Sequence, residues 1–327
     1  MHLDAGDLWQ AEYQVPEAKR PEIASAAKVL MAAYKRFDVK GAAIGDRDLA
    51  LGIETLKAFR KDASFEFLSV NLTDEAGALL FAPSLLTTVG GQKIGVIGAT
   101  TALFMNREQV QTAGKYRVEP PAPRIAAEVD KLKAAGATVF ILLGHLNRSE
   151  IEEAVQAAPA INLVLGGQWL DYDQTIEKVG KALVVGGFQR GKNLSVLSAF
   201  VKNGSTTFID RNARGALENK KRDLESQIVG RSKLLESARN DPAQKDTLTF
   251  YEQNLVQLKT DLQTVTMDLE DLAEPSPDSS WVKWELKPMD TTLAEDPKVL
   301  EQIEKHREKY PDPTKRPAAA PGAAPGH

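Results

Sequence analysis

The 327-residue chain contains no cysteine. Its absence excludes disulfide bonds, zinc–thiolate sites, cysteine nucleophiles and Cys-x-x-Cys-His haem attachment within these residues. It does not assign a compartment, because proteins without disulfides occur both in the cytosol and in the periplasm. The chemistry of this chain must therefore come from oxygen and nitrogen donors.

Long apolar runs and a surplus of basic residues are also missing. No stretch approaches the ~20 consecutive apolar residues of a membrane span, so we expect no transmembrane segment. The net charge of −4 favours no nucleic-acid partner. Residues 1–4 lack the basic start and apolar core of a signal peptide, and residues 3–9 resemble a strand end with nothing before it. We therefore expect an N-terminally truncated domain, periplasmic or secreted if a signal peptide precedes Met1.

Residues 1–212 alternate between short apolar runs and amphipathic segments, which predicts a layered α/β domain. Gly90 and Gly91 separate two apolar runs and predict the turn of a β-hairpin. The predicted helices are 125–135, ending at Gly136, and 151–158. The predicted strands are 39–44, 65–71, 79–89, 93–100, 138–143, 161–165, 176–179, 182–185 and 195–202.

Residues 213–274 have a different pattern, with apolar side chains at alternating intervals of four and three residues. The members of this heptad series are Tyr251, Leu255, Leu258, Leu262, Val265, Leu269 and Leu272. A looser series spans residues 217–238, and Pro242 interrupts the two. We predict an antiparallel coiled-coil hairpin whose helices are about 40 Å long. It is either a structural arm of the domain or a partner-binding arm.

After the hairpin, residues 281–286 alternate with period two and predict a strand that returns to the α/β domain, with both tryptophans on one face. Residues 297–310 predict a charged helix, so 275–310 form a returning strand and helix. Residues 311–327 are rich in proline, alanine and glycine and predict a disordered tail. Such a tail indicates a linker to further sequence in a longer parent chain.

Several segments carry a family resemblance when taken in order. They are 3–9 (Leu-Asp-Ala-Gly-Asp-Leu-Trp), 45–48 (Gly-Asp-Arg-Asp), 67–72, 89–101, 141–146 and 161–170. Together they resemble the calcineurin-like metallophosphoesterase superfamily, in its 5′-nucleotidase branch and a diverged, UshA-like bacterial subgroup. The resemblance implies a metallophosphoesterase-type β-sandwich flanked by helices over residues 1–212. It also implies hydrolysis of phosphoric esters at a metal centre. Chains of this subgroup are often secreted and can be joined to c-type haem segments, and any such segment of this chain would lie beyond His327.

The resemblance also assigns roles to individual residues. Asp7, Asp46, His145 and Gln168 match positions that ligate one metal, and Asp48 would support them. The Asp-x-His motif that helps to hold a first metal would lie before Met1, and Leu170 replaces another ligand. The matching positions therefore predict a single divalent cation, Mg²⁺, Mn²⁺ or Ca²⁺, or no cation at all.

Arg47 stands where the family has its catalytic histidine, and it allows two interpretations. Its guanidinium cannot shuttle protons at neutral pH but binds phosphate well. Alternatively, it pairs with neighbouring carboxylates and fills the vacated metal position. His145 is likewise either a ligand at a strand end or a hydrogen-bonded core residue. Residues 186–192 form either a turn or a phosphate cradle.

These residues lead to two functional hypotheses. The first is a degenerate 5′-nucleotidase-like protein, non-catalytic or weakly active, which binds a phosphate-containing small molecule. Its coiled coil at 214–273 would organise a protein partner or a longer parent chain. The alternative is an active metal-dependent phosphohydrolase with a reduced, one-metal site.

Overall fold

The computed structural model describes residues 1–9, 15–101, 116–166, 176–186, 192–239, 245–272 and 276–311. Its strands are β1 His2–Asp4, β2 Val39–Ala43, β3 Glu66–Leu68, β4 Leu72–Thr73, β5 Ser84–Val89, β6 Gln92–Ala99, β7 Arg117–Val118, β8 Val139–Gly144, β9 Leu163–Leu165, β10 Glu177–Val179, β11 Ala182–Val185, β12 Asn193–Phe200, β13 Phe208–Asp210 and β14 Ser280–Pro288. Its helices are α1 Arg20–Arg36, α2 Ile53–Asp62, α3 Pro121–Ala134, α4 Arg148–Ala157, α5 Ala213–Arg239, α6 Lys245–Asp271 and α7 Pro297–Lys309.

A six-stranded sheet lies at the centre, in the order β10-β11-β9-β8-β6-β5. Its four inner strands are parallel, and every residue of β8 is buried, as expected for a strand covered on both faces. The β5–β6 hairpin turns at Gly90 and Gly91, whose φ angles of 57° and 80° suit a two-residue turn. The predicted turn is therefore observed, although β5 begins at Ser84 and not at residue 79.

A second sheet, β1-β2-β3, is parallel throughout and packs face to face on the first. Ala43 and Leu68 of this sheet share a buried cluster with Val96, Ile141 and Leu143 of the central sheet. The two sheets approach closely at Gly98, where a Cβ atom would lie 2.3 Å from the Cβ of Leu68. The pair of sheets forms the predicted sandwich.

Helices cover both outer faces of the sandwich. Apolar side chains of α3 and α4 pack on the central sheet, and those of α1 and α2 pack on the β1-β2-β3 sheet. The Asn147 side chain accepts from the backbone N–H of Glu150 and begins α4 with a capping box. The result is a mixed α/β fold with helices outside two stacked sheets. Neither α1 nor α2 is among the helices predicted from the sequence.

The third sheet, β12-β14-β13, contains the returning strand β14. The expectation that both tryptophans share one face is wrong, because residues three apart point to opposite faces of a strand. Trp281 stacks on Phe200 at 5.5 Å between ring centroids. On the opposite face, the Trp284 Nε1–H donates to Ser195 Oγ at 2.6 Å.

Helices α5 and α6, each of 27 residues, follow β13 and precede β14 in the chain. The two helices pack against each other. Arg239 pairs with Glu252 at 2.9 Å, so the end of α5 lies beside the beginning of α6 and the helices run antiparallel. Leu224, Leu258 and Val265 are the buried residues of their shared cluster. We refer to residues 213–271 as the helical arm. No helix in the described part of the chain is long and apolar enough to cross a membrane.

The C-terminal helix α7 packs against α1. The Arg36 Nε–H donates to Asp296 at 2.8 Å, and the His306 ring hydrogen-bonds Ser25 at 3.0 Å. This contact brings the segment that follows the arm back to the sandwich. Residues 312–327 of the predicted tail, and residues 187–191 of the predicted glycine turn, lie outside the described residues.

Candidate metal centre

Loops at the carboxyl ends of three strands bring the predicted acidic and histidine side chains together. Asp7 follows β1, Asp46 follows β2 and His145 follows β8 directly. Since β1 and β2 are parallel neighbours in one sheet and β8 lies in the other, the site sits where the two sheets meet at their carboxyl ends. Gln168 lies outside the described residues, so its predicted role as a fourth ligand stays a prediction.

One oxygen or nitrogen atom from each of Asp7, Asp46 and His145 lies within 4.8 Å of the other two. His145 Nδ1 is 2.8 Å from Asp7 Oδ2 and 3.7 Å from Asp46 Oδ1. The Asp46 side chain is fully buried, whereas those of Asp7 and His145 are 11% and 19% exposed. Two carboxylates and an imidazole therefore form a mostly buried group that still reaches solvent.

Two glycines make this close approach possible. A Cβ on Gly45 would lie 2.1 Å from Asp7 Oδ1, and a Cβ on Gly6 would lie 2.7 Å from the Gly45 nitrogen. Gly6 has a φ of 106° and Asp7 a φ of 60°, so the chain turns through left-handed conformations to deliver the aspartate. The glycines before Asp7 and Asp46 thus have a steric role at the site.

Asp48 holds the two loops together. Its carboxylate accepts backbone N–H bonds from Gly45 at 2.9 Å, Asp7 at 3.0 Å and Trp9 at 3.3 Å. Burial and the nearby charge of Asp7 raise the pKa of Asp48 to about 8, against the opposing effect of the three donors. Asp48 therefore supports the site from behind, by fixing backbone.

A buried polar network fixes the loop that follows β2 and carries Asp46. Thr100 Oγ1 donates to the carbonyl of Ile44 at 2.9 Å. Asn71 Nδ2 donates to the Thr100 carbonyl at 2.7 Å, while Asn71 Oδ1 accepts from the Thr100 N–H at 2.9 Å. Sequence reasoning did not single out either residue as part of the site. The available signal was a polar Ser-x-Asn pair at the end of an apolar strand.

Arg47 places its charge beside the same carboxylates. Its backbone N–H donates to Asp7 Oδ1 and to Asp46 Oδ1, each at 3.1 Å. Its Nη1 is 3.4 Å from Asp7 Oδ2, and the side chain is 32% exposed. The predicted pairing of Arg47 with a site carboxylate is therefore observed, and the guanidinium also reaches solvent.

His145 is strongly affected by its acidic neighbours. Burial lowers the pKa of its imidazole, but the hydrogen bonds and charges of Asp46 and Asp7 outweigh burial and raise that pKa to about 9. Without another cation, a protonated His145 would neutralise part of the negative charge. A metal ion would take that place by binding the neutral imidazole.

The residues present fit one divalent cation. Asp46 Oδ2 is buried and has no hydrogen-bond partner within the part of the chain that the structure describes. A buried carboxylate oxygen without a donor is costly unless a cation binds it. Carboxylate oxygens and an imidazole nitrogen suit Mn²⁺ or Zn²⁺ and, with more oxygen ligands, Mg²⁺.

The chain has distant relatives among known proteins. No protein-family model matches the chain. It is 26% identical over 175 residues to the 5′-nucleotidase of Mus musculus, a match that covers 51% of this chain and 28% of that protein. It is 24% identical over 204 residues to the trifunctional nucleotide phosphoesterase protein YfkN of Bacillus subtilis, covering 58% of this chain and 13% of that protein. The chain thus matches less than a third of the length of either relative.

The fold has solved counterparts. The crystal structure of the calcineurin-like phosphoesterase YfkN from Bacillus subtilis aligns with a TM-score of 0.58 at 13% identity, covering 94% of this chain and 82% of that one. Identity this low supports the fold alone. Together with the sequence matches, it confirms the predicted resemblance to 5′-nucleotidase-like metallophosphoesterases as a distant one.

Proposed function

Because this chain is a distant relative of the 5′-nucleotidase-like metallophosphoesterases, we propose that it binds one divalent cation and a phosphate ester but hydrolyses the ester weakly or not at all. The observation that carries the proposal is Arg47. It occupies the position that the resemblance assigns to a catalytic histidine, and it lies 3.4 Å from Asp7.

Asp7, Asp46 and His145 would hold the cation, and Gln168 is the candidate fourth ligand. The buried, unpartnered Oδ2 of Asp46 supports this assignment. When bound, such a cation polarises a phosphoryl oxygen and lowers the pKa of coordinated water. Asp48 and Thr100 would keep the two aspartate loops in place.

Weak activity follows from the side chain at position 47. A guanidinium remains protonated at neutral pH, so Arg47 cannot donate a proton to a leaving group and recover it. Loss of a general acid costs roughly 10²–10⁴ in rate. The chain's own contribution is therefore to bind and orient the phosphoryl group.

The alternative is an active phosphohydrolase with one cation. It is favoured by the retained Asp7 and by the deep burial of Asp46, which would strengthen any electrostatic interaction at the site. This enzyme would need a leaving group that departs without protonation.

Metal analysis combined with an ester assay separates these functions. We expect about one Mn²⁺ per purified chain, reduced binding in Asp46→Asn, and little hydrolysis of p-nitrophenyl phosphate. Asp130→Asn, an exposed carboxylate on α3, is the control and should bind like the wild type. Turnover that disappears in Asp7→Ala would establish the alternative. A wild-type protein that binds no Mn²⁺ would overturn both functions.

We also propose that residues 213–274 form an antiparallel coiled coil that binds a protein partner or organises a longer chain. Residues 1–212 would be the phosphoesterase-like domain, completed by 275–310. Apolar side chains on the arm that do not enter its seam support this role, because Phe250, Val256 and Met267 are 59%, 65% and 55% exposed. Removing the arm should abolish association while leaving cation binding intact.

A further inference from the structure

We propose that the guanidinium of Arg47 takes the place of a second metal ion and, together with one divalent cation, forms a receptor for a phosphate monoester dianion. This inference rests on the cation site proposed above. It adds a specific role for a residue that the resemblance marks only as a lost catalytic group.

The position of Arg47 is fixed from its backbone. The Arg47 N–H donates to both site aspartates, so the residue is tied to the carboxylates that would hold the cation. From this anchor, Nη1 reaches within 3.4 Å of Asp7 Oδ2. That oxygen is also 2.8 Å from His145 Nδ1. Asp7 therefore lies between the proposed cation site and a permanent positive charge.

This arrangement disfavours a second metal ion. Two metal ions that share a carboxylate need further oxygen or nitrogen ligands on both sides of it. On the side of Asp7 that Arg47 approaches, a guanidinium already interacts with the carboxylate. A divalent cation entering there would face a fixed positive charge. We therefore expect one metal ion per chain.

The same charge suits a phosphate dianion. A guanidinium offers N–H donors in a planar fork that matches two phosphate oxygens. The Arg47 side chain is 32% exposed, compared with complete burial for Asp46, so it can meet a ligand arriving from solvent. A phosphate group would thus be held from two sides, by the bound cation and by Arg47.

Removing the charge of Arg47 should have opposite effects on the two ligands. Cation binding should become tighter, because a nearby positive charge is lost. Phosphate binding should become weaker, because a charge-assisted donor is lost. A residue that only maintained the loop would weaken both when replaced, so the signs separate a ligand-binding role from a structural one.

Isothermal titration of the full chain tests this inference. Mn²⁺ is titrated first, and inorganic phosphate is then titrated into Mn²⁺-saturated protein. The variants are Arg47→Met and Arg47→Gln, and the second of these retains amide donors without charge. Arg60→Met, an exposed cation on α2, is the matched control. We expect one Mn²⁺ per wild-type chain and, in both variants, tighter Mn²⁺ binding with phosphate binding weakened roughly tenfold or more.

Two Mn²⁺ ions per wild-type chain would overturn the inference, as would phosphate affinity unchanged in both variants. Weaker binding of both ligands in the variants would assign Arg47 a structural role and overturn it as well. Wild-type protein that binds Mn²⁺ but no phosphate contradicts this inference and the proposed phosphate binding, and leaves the cation site standing. Wild-type protein that binds no Mn²⁺ contradicts the proposed function itself.

Discussion

At Gly45, the space that a side chain would need is filled by the Asp7 carboxylate. We expect Gly45→Ala to displace Asp7 or the loop, and to destabilise the fold by roughly 2–4 kcal/mol, as overpacking and broken polar networks do. Thermal unfolding and Mn²⁺ titration measure the two effects. Gly230→Ala is the control, because its Cβ would enter open space on helix α5. That change should stabilise by roughly 0.5–1 kcal/mol.

Wild-type stability in Gly45→Ala would contradict the steric role assigned to this glycine. Wild-type Mn²⁺ affinity would show that the Asp7 position can shift without loss of a ligand. Since φ at Gly45 is not in the left-handed region, the substitution tests the contact with Asp7 and not backbone strain.

The site residues differ in how far sequence could identify them. Asp7, Asp46 and His145 come from loops far apart in the chain, and family motifs were enough to place them together. Thr100 was missed because its side chain acts on the site through a hydrogen bond to the backbone carbonyl of Ile44, which leaves no spacing pattern. Asp48 was identified, but its partners are backbone N–H groups, which a sequence does not display.

On the scale of single elements, the arm offers a matched pair of valines on helix α6. Val265 is 3% exposed in the seam and Val256 is 65% exposed outside it. Both alanine variants gain similar helix propensity, so the difference between their stabilities reports the effect of side-chain burial. We expect Val265→Ala to lower the opening free energy of the arm by roughly 1–2 kcal/mol relative to Val256→Ala. Hydrogen exchange of arm amides measures this difference. Equal protection in the two variants would contradict a packed seam.

Element prediction succeeded where a single physical signal dominated. The apolar run of β8 and the Gly90-Gly91 turn each give a strong local pattern, and the apolar periodicity after residue 213 favours the two helices α5 and α6. The helices α1 and α2 were missed. Each helix buries only three residues, and each acquires its apolar partners only by packing on β1-β2-β3. These residues are Ala27, Met31 and Ala33 in α1, and Ile53, Leu56 and Phe59 in α2.

At the scale of the whole molecule, the arm can be deleted without removing any residue of the strands that flank it, β13 and β14. Asp210 at the end of β13 lies beside Val282 in the parallel strand β14. Deleting residues 214–273 leaves nine residues, 211–213 and 274–279, to join these neighbouring strands. The strands are parallel, so the linker must run back from Asp210 to Ser280, which pairs with Phe208. Because the paired stretch is only three residues long, nine residues can span that distance. We expect unchanged Mn²⁺ affinity together with loss of self-association or partner capture, measured by light scattering and pull-down.

An unchanged mass in solution and unchanged partner capture would contradict an association role for the arm. Loss of Mn²⁺ binding in the same deletion would show instead that the arm supports the site.

The global arrangement itself was predictable only through the family resemblance. Alternating strands and helices indicate layers, but nothing local specifies that β14 inserts between β12 and β13 after the arm.

The arm begins after β13 and ends before the adjacent strand β14. This connection allows the length of the arm to change during evolution. Whole heptads can be added to or removed from both helices together without altering the register of β13 or β14. Each heptad added to both helices lengthens the arm by about 10 Å. The distance between the ligand site and anything bound where α5 ends and α6 begins can therefore vary in discrete steps, independently of the chemistry at Arg47.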